Sequence, residues 1–336
     1  MACEVAGLGN ALMDALVVLD DDSLIDELGL VRGTMHPVDH DGWQRVFERV
    51  REQGVVFASG GSCANTIATL GRLGASAVYC GQVGDDQLGR MYASLLEEAC
   101  GTHALRFTDA VRTGKCLSII SREDAERTML TDLGAAIGLT EIGGFKNTLT
   151  ETKIAHFTGY TLLGGPMQQA MLEAMHTAHA SGTVVSLDAA DPFVVLQIKS
   201  VLEAVLDKYV DIVFLNAEEA HGLTGLNPRE AAIAIAGRGT VKTVVVKMGS
   251  EGSLVWHDGD LVSVPIKKVN AVDTTGAGDA YAGGFLYGVT RGWTPDRCGA
   301  LATRVAGLTV AQVGAVVKDR AALSLALTEV GAPPLT

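Results

Sequence analysis

Short β-branched runs separated by helix-length segments restrict this chain to few architectures. Thr183–Leu187, Asp211–Leu215 and Thr243–Lys247 have the length and composition of strands buried on both faces. Pro166 to Ser181 and Pro192 to Lys208 carry apolar residues at helical spacing, and Asn227-Pro-Arg-Glu230 opens another helix with a capping side chain and a proline in its first turn. Alternation in this order predicts an α/β fold, with a doubly wound, mostly parallel sheet covered by helices on both faces.

Two stretches, about residues 12 to 50 and about 104 to 131, read differently. Leu16–Leu19, Lys115–Ile120 and Arg127–Thr131 are strand-like with fewer helices between them. They predict a small second sheet, built from discontinuous segments and lying as a lid across the edge of the main domain. No tandem repeat, low-complexity tract or Pro/Ser-rich linker interrupts the 336 residues, so residues 1–336 are expected to form one unit. A 48% hydrophobic content is enough for a substantial core. No run reaches the roughly 18 apolar residues of a membrane span, and the start of the chain lacks the basic residues of a secretory signal. A soluble, cytoplasmic protein is expected, with no membrane partner. The net charge of −13 argues against a nucleic-acid polymer as partner. Six cysteines without a C-x-x-C pair read as reduced thiols and not as a zinc site. Monomer and homodimer both remain open, because the edge of the small sheet is either free to pair with a second copy or short and protected.

Two glycine segments stand at predicted junctions with helices. Asp273-Thr-Thr-Gly-Ala-Gly-Asp279 runs into the small and apolar stretch Ala280–Gly288. A glycine-rich turn entering a helix aims backbone N–H groups at whatever lies before the helix, which suits phosphate oxygens. Asp279 beside such an anion hole reads as a base that takes a proton from an attacking hydroxyl. The plainer alternative is an acid placed to complement the helix dipole. In Val55–Asn65, Gly60 and Gly61 permit close approach of a ligand, while Ser62 and Asn65 offer side-chain hydrogen bonds. Gly60, Gly61 and Asn65 would then bind a polyhydroxylated substrate, or the segment is a tight turn with a helix cap. Gly7-Leu-Gly9 lacks the third glycine of the dinucleotide fingerprint, and Gly114-Lys115-Cys116 lacks the upstream glycine and the Ser/Thr of a P-loop. A nicotinamide enzyme and a P-loop ATPase are disfavoured.

Four segments, taken in order, resemble the ribokinase-like (PfkB) family of carbohydrate and nucleoside kinases. They are Gly9-Asn10 with Asp14, Gly60-Gly61-Ser62 with Asn65, Asn216-Ala-Glu-Glu219 as an N-x-x-E motif, and Asp273 to Asp279 as the second signature. The resemblance implies a doubly wound α/β domain with a small β-sheet lid and substrate held between the two. It implies that Asp14 hydrogen-bonds sugar hydroxyls, with Asn10, Gly60, Gly61 and Asn65 completing the pocket. Asp279 would accept the proton as the hydroxyl attacks the γ-phosphate of ATP, and Gly276, Ala277 and Gly278 would give backbone donors to the phosphoryl group. Asn216 and Glu219 would organise Mg2+ and its waters beside ATP. Seen alone, the same pair makes an ordinary helix cap with an exposed acidic turn.

Lys247-Met-Gly-Ser-Glu-Gly252 resembles the family's nucleotide loop, which would place Lys247, Gly249, Gly252 and Thr275 on the ATP side. A hairpin turn is the alternative for the two glycines. Relatives use a monovalent cation near the second signature, so the segment Asp273 to Thr275 is the candidate for K+. Arg127 would reach substrate or phosphate when the lid closes, or else covers apolar surface. Gly7–Asp14, Ala189–Phe193 and Tyr209–Phe214 look more like adenosine kinases than hexose-phosphate kinases. This favours a ribose-containing nucleoside as acceptor, with a free sugar as the alternative and a non-catalytic binding sensor as the alternative of another class. Phe157, Tyr160 and Met129 are candidates to face a base, or else pack in the core.

Overall fold

The computed structural model describes residues 3–124 and 126–335; Met1, Ala2, Ala125 and Thr336 lie outside the described residues. In chain order the strands are β1 (Val5–Leu8), β2 (Leu12–Leu19), β3 (Met35–Pro37), β4 (Val56–Gly60), β5 (Ala77–Cys80), β6 (Gln82–Gly84), β7 (Arg106–Thr108) and β8 (Gly114–Ser121). They continue with β9 (Arg127–Asp132), β10 (Ile154–Thr158), β11 (Val184–Asp188), β12 (Ile212–Asn216), β13 (Thr243–Lys247), β14 (Ser253–His257) and β15 (Asp260–Val264). Eight of them form one sheet in the order β15-β14-β13-β12-β11-β10-β1-β5. It is parallel from β13 to β5, with β14 and β15 as an antiparallel edge. The expected mixed α/β fold is therefore present. From β1 the winding goes one way to β5 and the other way to β10 through β13. That reversal opens a crevice at the carboxyl ends of β1 and β10.

The helices are α1 (Ser23–Glu27), α2 (His40–Val50), α3 (Ser62–Arg72), α4 (Gln87–Cys100), α5 (Phe145–Glu151), α6 (Gly165–Ala180) and α7 (Pro192–Gln197). Next come α8 (Lys199–Lys208), α9 (Ala217–Thr224), α10 (Pro228–Ala236), α11 (Ala277–Thr290), α12 (Pro295–Val310) and α13 (Arg320–Glu329). Successive strand residues point to opposite faces, so a strand buried on both sides must be apolar throughout. Leu8, Phe157, Val213 and Val246 pack with residues of α5, α6, α8 and α10, whereas Val5, Ile154, Phe214 and Val245 pack with residues of α3, α11, α12 and α13. Phe157 belongs wholly to this core, and truncating it to Ala would cost about 3–5 kcal/mol. The stretch Pro192 to Lys208, expected as one helix, is two. Ile198 leaves helical dihedrals at φ −105 and ψ 14 and buries its side chain in the core at the break.

The second sheet has the order β3-β9-β8-β2-β4. On one face Ala15, Val17, Leu117, Ile119 and Leu130 pack against Trp43, Val46 and Val50 of α2 and Leu24 and Ile25 of α1. The opposite face carries Asp14 level with Ala58 and Cys116, and Leu16 level with Ser118, which in turn pairs with Met129. Strand β4 belongs to this sheet although it lies beyond residue 50, since it leads straight into α3. Strand β7 instead pairs with β6 in a separate ribbon. All six cysteines are free, and among the described residues no helix is long and apolar enough to cross a membrane.

Candidate active site

The crevice is assembled by close backbone approaches that only glycine allows. Gly61, the N-cap of α3, has φ +94, and a Cβ on it would lie 2.1 Å from the Asn10 carbonyl oxygen. A Cβ on Gly60 would lie 2.2 Å from the Asp14 carboxyl carbon. What approaches these glycines is the chain's own Asn10 and Asp14, so the pair locks β1, β2 and β4 together at the mouth of the site.

Asp279 lies in the first turn of α11, whose N-cap Gly276 has φ +70 and abuts Ala315. Both carboxylate oxygens have a donor from α3: Ser62 Oγ at 2.6 Å on Oδ1 and Asn65 Nδ2 at 2.9 Å on Oδ2. Burial raises the Asp279 pKa, and these two donors pull it back down. The result is a desolvated carboxylate fixed in orientation, suited to accepting a proton. In the turn before it, Ala277 N–H folds back onto the Thr274 carbonyl at 3.3 Å, whereas Gly276, Gly278 and Asp279 N–H have no acceptor among the described residues. Of the three backbone donors expected, Gly276 and Gly278 are open to an anion and Ala277 is partly occupied. Asp273 anchors the turn from below. Its Oδ1 accepts from Thr275 N at 2.8 Å and Thr275 Oγ1 at 2.5 Å, and its Oδ2 accepts from Gly314 N at 2.8 Å. Three of the acceptor sites of the Asp273 carboxylate are thus used within the turn, and the Thr275 hydroxyl donates to Asp273.

Across the crevice, Asp14 is buried and has no hydrogen-bond donor among the described residues. Burial pushes its pKa up to about 7, with the nearby Arg127 pulling down and Asp279 and Asp273 pushing up. Arg127, at the start of β9, is thereby placed in the field of the site. Asn10 Oδ1 and Asn65 Oδ1 are fully buried without a partner among the described residues. Buried acceptors are seldom left unpaired, so this set asks for a ligand rich in O–H donors. Tyr160, which follows β10, is close enough for Asp279 and Arg127 to influence its phenol; burial raises that pKa.

Farther along the sheet, Asn216 and Glu219 form a full capping box. Asn216 Oδ1 accepts from Glu219 N, and Glu219 accepts from Asn216 N and Nδ2, each at 2.7 Å. The acidic turn is not exposed at Glu219, which is 2% accessible; burial pushes its pKa up to about 7, with Lys247 pulling down and Asp188 pushing up. Among the described residues no three His, Cys, Asp or Glu side chains gather as a metal cage. With one donor already on each Glu219 oxygen, the pair would suit magnesium through the water that this cation retains.

Lys247 ends β13 and lies beside a cavity of about 370 Å³ that Asn216, Glu218, Met248 and Glu251 also line. Gly249 and Gly252 form the β13–β14 hairpin turn, closed by Met248 N–H on the Gly252 carbonyl at 2.8 Å. Gly252, with φ +93, must be glycine because a Cβ would lie 2.2 Å from the Val264 carbonyl oxygen. Two participants went unassigned in the sequence. Ser62 was visible as a hydrogen-bonding residue but not as a partner of Asp279, and Asp188 was signalled only by being an acid at the carboxyl end of a parallel strand.

The profile described as pfkB family carbohydrate kinase matches residues 38–321. The crystal structure of adenosine kinase from Sinorhizobium meliloti superposes with a TM-score of 0.88 at 32% identity, covering 98% of this chain and 100% of that one. A probable sugar kinase from Rhizobium etli CFN 42 superposes with a TM-score of 0.88 at 31% identity, covering 98% and 99%. Fructokinase-1 of Oryza sativa subsp. japonica is 29% identical over 239 residues, 69% of this chain and 73% of the fructokinase.

Proposed function

The chain belongs to the pfkB family of carbohydrate kinases, phosphotransferases acting on a sugar or nucleoside hydroxyl, and from that premise we propose that it phosphorylates the ribose 5′-hydroxyl of a ribonucleoside such as adenosine, with ATP as donor. The observation that carries the nucleoside reading is the inner face of the small sheet. Asp14 is the sole carboxylate on a strip that also carries Leu16, Ala58, Cys116, Ser118, Met129 and Thr131, with Arg127 at one end. One carboxylate with the Asn10 and Asn65 oxygens matches the few hydroxyls of a ribose, and the apolar, polarisable remainder suits a flat base. A free hexose would set hydroxyls against Leu16, Ala58, Cys116 and Met129, with Ser118, Thr131 and Arg127 as the further polar partners on that face.

In this reading the small sheet is a lid. Closing it brings Arg127 toward the acceptor, excludes water and limits wasteful ATP hydrolysis. Asp14 and Asn10 orient the ribose, Asp279 takes the 5′-hydroxyl proton, and the Gly276 and Gly278 amides receive the charge on the phosphoryl group. Asn216 and Glu219 would hold magnesium through its water, and the metal would neutralise charge on the phosphates.

A coupled ATP-consumption assay against adenosine, other nucleosides, ribose and fructose tests the proposal. The highest kcat/KM is expected with adenosine. The similarity to the rice fructokinase favours a second reading, a kinase of free sugars, which wins if fructose or ribose turns over and adenosine does not. Tight nucleoside binding with no ATP consumed across the panel would instead indicate a sensor.

A further inference from the structure

Asp188 closes β11, and its two oxygens have different partners. Oδ1 accepts from Ala190 N–H at 2.9 Å, and Oδ2 accepts from Lys247 Nζ at 2.7 Å. Ala190 reaches that position at φ +87, a left-handed conformation that is strained for a residue with a Cβ. The strained turn fixes the carboxylate, and the carboxylate fixes the lysine. Lys247 in turn lies against bare backbone, since its Nζ is 3.1 Å from where a Gly278 Cβ would stand. The ammonium is therefore held over the N-terminal turn of α11, beside the open amides of Gly276 and Gly278. It carries three N–H groups, and Asp188 is its one hydrogen-bond acceptor among the described residues. Lys247 is also one of the residues that line the cavity with Asn216 and Met248. Burial lowers the lysine pKa, but Asp188 and Glu219 outweigh it and keep the group charged.

We propose that Asp188 is a positioning residue that acts through Lys247, holding the ammonium against the first turn of α11 so that it donates to the phosphoryl group in transfer alongside the Gly276 and Gly278 amides. The proposal rests on the phosphotransfer reading and not on the identity of the acceptor. It explains why a carboxylate stands where a triphosphate must come. Asp188 directs a cation and is neutralised by it.

A double-mutant cycle tests this. Lys247→Met is expected to lower kcat about 10²- to 10³-fold, as loss of a preorganised donor does. Asp188→Asn keeps the bond to Ala190 and frees the lysine, lowering kcat about 10- to 100-fold by misplacement. In the Lys247→Met background, Asp188→Asn should cost nothing further. KM for the acceptor should stay unchanged throughout. Lys247→Met alone leaves a buried carboxylate unpaired and can fail to fold, but the double variant replaces both charges by neutral groups of similar shape and keeps the cycle readable. Without turnover on any acceptor, the same cycle is read from calorimetric binding of a non-hydrolysable ATP analogue, which needs no acceptor and should again show no added loss in the double variant. Losses that multiply, wild-type behaviour of Asp188→Asn, or recovery of that variant by excess magnesium would each overturn the proposal, the last by assigning Asp188 to the metal.

Discussion

Asp279, half-buried, and Asp14, buried, are carboxylates facing one crevice, yet the protein treats them in opposite ways. Asp279 has a donor on each oxygen, supplied by Ser62 and Asn65 from a helix distant in sequence, and lies in the first turn of α11. Asp14 lies on the small sheet against the bare backbone of Gly60, and no donor reaches it among the described residues. Preorganisation fits the first for chemistry, because a base aimed in advance needs no rearrangement as the reaction proceeds. Incompleteness fits the second for binding, because a substrate hydroxyl supplies the missing bond and is selected by doing so. The difference teaches that burial alone does not mark a catalytic acid; the source of its hydrogen-bond partners does.

The largest expected effect separates the two residues by kinetics. Asp279→Asn should lower kcat about 10²- to 10⁴-fold with acceptor KM little changed. The fold should survive, because Asn65 can turn its free Oδ1 toward the new amide. Steady-state rates with a thermal melt as control check this, and normal turnover would remove Asp279 from the base role.

Asp14→Asn should act on the other parameter. Losing a charge-assisted bond to a hydroxyl is expected to raise acceptor KM about 10- to 100-fold while kcat falls only a few-fold. A fall confined to kcat would make the two carboxylates alike and break the comparison.

Gly60→Ala sharpens it further. The added Cβ collides with the Asp14 carboxyl and leaves Asp279 untouched, so acceptor KM should rise several-fold, with a loss of about 1–3 kcal/mol in a denaturant titration. Unchanged KM would mean that Asp14 does not need its seat on Gly60.

The smallest effect is on stability against pH. The folded pKa of Asp14 is raised to about 7, above the roughly 3.9 of an unfolded chain. Its contribution is thus fully present below about pH 4 and is lost as pH rises through about 7. Wild type and Asp14→Asn should melt together near pH 4, and by pH 8 the variant should melt a few degrees higher. A gap that opens in acid instead would contradict the raised pKa.

The alternation of strands and helices made the large sheet legible, since strands such as β13 are apolar on both faces and each parallel connection needs a helix. The interruption at Ile198 was not, because helical spacing continues through it and only the demand of the core for that side chain breaks the helix. At the site, Asp279, Asp14 and the glycines were readable as motif positions. Their partners were harder to see. Ser62 meets Asp279 across 217 residues, and Lys247 meets Asp188 across 59, contacts fixed by sheet order rather than local pattern. The glycines also changed meaning, from room for a ligand to room for Asn10 and Asp14.

The central claim is that the protein completes Asp279 while the substrate completes Asp14. Calorimetric titration of the acceptor, adenosine in our reading, near pH 7 in buffers of different ionisation heat counts the protons exchanged. Hydroxyl donors favour the ionised carboxylate, so wild type should release about half a proton per acceptor bound, given a free pKa of about 7. Asp279→Asn should still release protons, though fewer, because the Asp279 charge helps to raise the Asp14 pKa, and Asp14→Asn should release none. No release from wild type, or release that survives in Asp14→Asn, would contradict the account.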